Sequence, residues 1–96
     1  MVQHIVIVKW RPDAAAEELA AVMAFADTAL AQGDFVSYRH GPSLKVSGGA
    51  GDWGMVLDLE GPEGVEKWLA SEPHEALAQR IAPLKESVLS IQLPSA

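Results

Sequence analysis

Residues 2–10 read Val-Gln-His-Ile-Val-Ile-Val-Lys-Trp, and their alternation decides the fold. Successive side chains of a strand point to opposite faces, so Ile5 and Ile7 fall on one side and His4, Val6, Val8 and Trp10 on the other. Both sets are largely apolar, whereas a sheet with one wet face alternates apolar with polar. Each face of this strand therefore needs a cover, helices on one and a second sheet on the other.

Working outward from it, Pro12-Asp13 opens a helix, with Asp13 as its cap and Glu17 and Glu18 in the first turns, where the helix dipole favours acids. Leu19, Val22, Met23, Ala26 and Leu30 recur at helical spacing, and Gly33 ends the helix. Residues 35–40 read as a second strand, closed by Gly41-Pro42-Ser43-Leu44 because proline cannot donate to a ladder. Ser47-Gly48-Gly49-Ala50-Gly51 is a loop, without the lysine and following helix that a phosphate cradle requires. Residues 53–60 form a third strand, with Trp53, Met55, Leu57 and Leu59 on one face. A second helix starts at Gly61-Pro62-Glu63 and runs through Val65, Trp68 and Leu69. Pro73 breaks it before a further helical stretch over residues 74–81, which Pro83 ends. Residues 88–93 are the last strand, and residues 94–96 a loose tail.

Strand, helix, strand, strand, helix, strand is the split βαβ order. It predicts an α+β, ferredoxin-like βαββαβ fold with an antiparallel four-stranded sheet, residues 1–96 making one domain. Both helices lie on one face of such a sheet, so two bare faces are expected to meet in a homodimer, a dimeric α/β barrel. Length argues the same way. A chain this short buries only about 60 to 65 per cent of its unfolded surface, and with no cysteine it has no disulfide to add stability.

Composition excludes several function classes. Thirteen acids against seven bases give a formal charge of −6, and the bases are scattered along the chain, so neither nucleic acid nor an anionic membrane is an expected partner. The apolar run from Ile5 to Val8 is too short for a targeting segment or a membrane span. The lack of cysteine removes thiolate nucleophiles and thiolate zinc sites and fits a reducing compartment, so the expected location is cytoplasmic. The three histidines make no metal-binding spacing, and neither a metal nor a cofactor is expected.

Three segments, residues 4–10 (His-Ile-Val-Ile-Val-Lys-Trp), 37–44 (Ser-Tyr-Arg-His-Gly-Pro-Ser-Leu) and 68–74 (Trp-Leu-Ala-Ser-Glu-Pro-His), resemble in order and spacing the signatures of the stress-responsive A/B barrel (Dabb) family. The resemblance covers nearly the whole chain and implies a dimeric α/β barrel with a pocket between helices and sheet. Most members of that family lack an assigned activity, some are stress-associated, and one plant member is a cofactor-free polyketide cyclase with a catalytic histidine and tyrosine. That histidine matches His74, while the tyrosine position holds Trp68, which has no ionisable hydroxyl. The matching pocket positions are His4, Val6, Val8, Met23, Met55 and Leu77. They are mostly aliphatic, so the implied ligand is small and apolar or aromatic.

Each residue also has a plainer reading. His74 follows Pro73 at a helix start, where the dipole opposes a second positive charge and a neutral imidazole is able to act as a base; otherwise it bonds backbone or Glu72. His4 among valines orients a ligand or is a satisfied core group. His40, beside Gly41, is expected to be exposed, and Trp10 and Trp53 to be packing anchors. Two functions therefore stand side by side: a small-molecule pocket, with His74 as general base in cyclisation or isomerisation, and a structural or stress-protective dimer without chemistry. A cofactor-independent monooxygenase is a lesser alternative, since such barrels often place an asparagine at the substrate and this chain has none.

Overall fold

A computed structural model describes residues 1–95. The elements are β1 (Val2–Trp10), α1 (Ala16–Ala31), β2 (Ser37–Pro42), β3 (Trp53–Leu59), α2 (Pro62–Leu69), α3 (Glu72–Ile81) and β4 (Lys85–Pro94). The four strands form one antiparallel sheet in the order β2-β3-β1-β4. This is the ferredoxin-like arrangement, with the second helical region split in two. No helix among the described residues is long and apolar enough to cross a membrane.

The alternation of β1 sorts the molecule into two faces. His4, Val6, Val8 and Trp10 are buried, as are Trp53, Met55, Leu57 and Leu59 on β3. They meet Val22, Ala26, Ala29 and Leu30 of α1, Val65 and Trp68 of α2, and Leu77 and Ile81 of α3 in one core. On the opposite face, register places Ile5 beside Ile91 and Val56, and Ile7 beside Leu89. No helix among the described residues covers that face. Leu89 is 70% exposed, and Ile7, Ile91 and Leu93 are exposed with it.

Several boundaries differ from the sequence reading. Helix α1 starts after Ala15, which makes no side-chain cap, while Asp13 pairs instead with Arg11 at 3.2 Å. Gln32 caps the other end, and Gly33 is not in the left-handed region. A Cβ at Gly33 would overlap the Phe35 ring, so the close approach of that ring demands the glycine. Strand β2 lies two residues further on than expected and includes Pro42, which pairs with Trp53 at the sheet edge, where a missing N–H costs nothing. The break between α2 and α3 falls at Ala70-Ser71, and Pro73 sits inside the first turn of α3, where no intrahelical N–H bond is lost. Strand β4 starts at Lys85, Pro94 still pairs with Val2, and the Ser95 N–H donates to Met1 O at 2.9 Å, so the expected loose tail is tied down that far. Ala96 lies outside the described residues.

His40 is the largest departure. Its side chain is only 11% exposed, because Nε2 bonds Asp27 of α1 at 2.6 Å and Nδ1 accepts from the Trp53 indole at 3.2 Å. Trp53 in turn stacks on Trp10, with ring centroids 5.7 Å apart. This chain of contacts pins α1 to the edge of the sheet. His40→Ala should destabilise the fold by about 1–3 kcal/mol in urea unfolding, because it leaves the buried indole N–H unpaired. Asp27→Ala, which removes a mostly exposed carboxylate, should cost less than about 1 kcal/mol.

Candidate functional site

Local sequence chemistry brings Trp68 and His74 together. The Ser71 hydroxyl, at the N-cap of α3, donates to Trp68 O at 2.6 Å and accepts from the His74 backbone N–H at 3.4 Å. One side chain thus joins the end of α2 to the start of α3 across the break. It sets the two rings edge to face, with centroids 5.5 Å apart. Phe35 also packs edge to face on Trp68, with centroids 4.9 Å apart, and helps to hold the indole in place.

Between this corner and the sheet lies a cavity of about 130 Å³. His4, Val6 and Val8 line it from β1, Met55 from β3, Trp68 from α2, and His74 and Leu77 from α3. Ala78, Ile81, Lys85 and Val88 complete the wall. Of the residues singled out in the sequence, Met23 does not reach it; that side chain packs half-buried against the core on α1. The sequence reading missed Ala78, Ile81, Lys85 and Val88, and Lys85 is the charged one among them. It precedes the expected start of the last strand, and only the longer β4 carries it to the cavity.

The two histidines of the site differ in their surroundings. His4 is 3% exposed. Gln92 of β4, its register partner, donates from Nε2 to His4 Nδ1 at 2.7 Å, which requires a neutral ring with its proton on Nε2. Burial, and then coulombic repulsion between the His4 and His74 rings, lowers the His4 pKa below its ordinary 6.5. His74 is different: its Nδ1 is buried and has no hydrogen-bond partner among the described residues. Neither Glu72 nor a backbone group satisfies it. A buried ring nitrogen without a partner is uncommon.

Other hollows are roomier, and two of them are open grooves. One, of about 510 Å³, is on the bare sheet face beside the glycine-rich loop and is lined by Ile7, Arg39 and Val56 among others. The other, of about 500 Å³, runs between α2 and the end of β4. Neither gathers two imidazoles in a mostly apolar enclosure, so the smaller cavity is the site where proton chemistry has the right components.

No protein-family model and no curated protein matches this chain. Solved structures do match. A dimeric ferredoxin-like protein of unknown function from Thermobifida fusca YX has a TM-score of 0.89 at 22% identity, covering 98% of this chain and 90% of that one. The fold is the one these structures share. A dabb family protein with a ferredoxin-like fold from Mesorhizobium loti has a TM-score of 0.83 at 13% identity, over 99% of this chain and 96% of that one. A hydroxynitrile lyase from Passiflora edulis has a TM-score of 0.81 at 12% identity, over 96% and 90%.

The His4 environment has a consequence for stability. An unfolded chain takes up a proton at this position more readily than the folded one, so stability rises with pH between the lowered folded pKa and 6.5. Its contribution is complete above pH 6.5 and is lost as the pH falls through that interval. Urea melts should show this slope in the wild type above the onset of carboxylate protonation, and His4→Gln should flatten it.

Proposed function

We propose that this chain is a stress-responsive A/B barrel (Dabb) domain over residues 1–96, a homodimer whose cavity between helices and sheet holds a small apolar or aromatic molecule. The observation that carries the reading is the buried, unpartnered Nδ1 of His74 in an apolar cavity that also contains a neutral His4. His74 acts there as general base. It takes a proton from an activated carbon of the ligand and returns it at another position, so the overall reaction is an isomerisation or cyclisation without redox change. His4, held by Gln92 with its proton on Nε2, is the hydrogen-bond donor available to a carbonyl oxygen as charge develops on it. Trp68 shapes the wall but has no hydroxyl to ionise. The hydroxynitrile lyase among the similar structures supports an enzymatic use of this fold.

The dimer is supported by the bare sheet face. Ile5, Ile7, Val56, Leu89, Ile91 and Leu93 form one apolar patch, with Lys9 paired to Glu86 at its rim. A patch of this kind on a small chain marks an association surface, and dimeric proteins of unknown function share the fold. A cytoplasmic location fits the cysteine-free composition.

A thermal-shift screen against single-ring aromatic compounds should find at least one that raises the melting temperature of the wild type and acts differently on His74→Ala. If neither protein shifts, the non-catalytic, structural dimer is the better reading. Sedimentation at micromolar concentration should show a dimer, and Ile91→Glu should shift it towards monomer; a monomeric wild type would overturn the assembly.

A further inference from the structure

We infer that the molecule held in this cavity is a small carboxylic acid, one ring or short apolar chain in size, whose carboxylate is bound by Lys85 at the cavity mouth. The inference rests on the pocket reading above and adds the charge and size of the ligand.

The charge argument starts from a contrast. The chain has thirteen acidic residues and seven basic ones, yet the described lining of this cavity contains no carboxylate and one lysine. Lys85 has no ion-pair partner among the described residues, whereas Lys9 is matched by Glu86 at 2.8 Å and Lys45 by Asp52 at 2.9 Å. A free cation beside a cavity without acids makes the local potential positive on a molecule whose net charge is −6.

Position decides what Lys85 is able to bind. It is the first residue of β4, opposite Trp10 in the register, and it is exposed. A lysine there lays its methylene stem along the apolar wall and keeps its ammonium group at the water boundary. A ligand carboxylate meeting it stays partly hydrated while the apolar body lies inside, so no anion is buried without a partner. His74, on the same wall, is an independent observation: its Nδ1 is buried without a hydrogen-bond partner among the described residues and is therefore free to bond a polar atom of a bound molecule. At about 130 Å³ the space is close to that of a cavity known to admit one benzene molecule, about 150 Å³.

The test is an NMR titration of the full chain with benzoate and with benzamide, which have nearly the same shape and differ in charge. Benzoate should bind about tenfold more tightly than benzamide, and Lys85→Gln should abolish that preference while leaving benzamide affinity unchanged. Unchanged benzamide binding also shows that the variant is folded. Equal affinity of the wild type for both compounds, or a benzoate preference that survives Lys85→Gln, overturns the role of Lys85 while the pocket stands. Failure of both compounds to bind at millimolar concentration overturns the carboxylate inference and the pocket reading together.

Discussion

Strand β1 is paired on both edges, to β3 and to β4, and this double pairing constrains everything else. With its backbone satisfied on each side, the strand cannot rotate, and a shift of one residue would exchange its entire buried and exposed sets. His4, Val6, Val8 and Trp10 are therefore committed to the helices, and Ile5 and Ile7 to the bare face. Core, cavity and bare apolar face all follow from that one registration. The same ladder holds Gln92 opposite His4, so the neutral state of the imidazole is a product of sheet register.

The cavity itself comes from incomplete cover. Helices α1, α2 and α3 close over β1 and β3, but β4 is exposed along its whole length. Space remains under the α2–α3 corner where large rings, Trp68 and His74, meet the sheet. Ser71 keeps that corner from collapsing or drifting by bonding both sides of it. The result is a small, mostly apolar chamber whose wall includes two imidazoles and one lysine. In such an enclosure the low-dielectric surroundings strengthen each hydrogen bond.

Much of this was legible in the residues. Period-two alternation in β1 and β3 and the helical spacing of Val22, Ala26 and Leu30 report the fold because burial acts on each side chain where it stands. Seven of the eight pocket positions expected by resemblance do surround one cavity, since strand and helix faces set their direction. Boundaries were less legible. Pro42 and Pro73 are compatible with a sheet edge and a first helical turn, so neither marks the break that proline suggests in isolation. Met23 misses the cavity because its place depends on the rotation of α1 against the sheet, which its own neighbours in sequence do not specify.

The sequence by itself determined the order of elements, the buried face of each strand and the surplus of apolar surface, because these depend on local periodicity and composition. Only the tertiary structure decided the bonding of the histidines. His40 meets Asp27 and Trp53, His4 meets Gln92 eighty-eight residues away, and His74 Nδ1 has no hydrogen-bond partner among the described residues. Partnership of that kind is a matter of ångströms between groups remote in the chain. A hydrogen bond fails with a displacement that hydrophobic burial would hardly register.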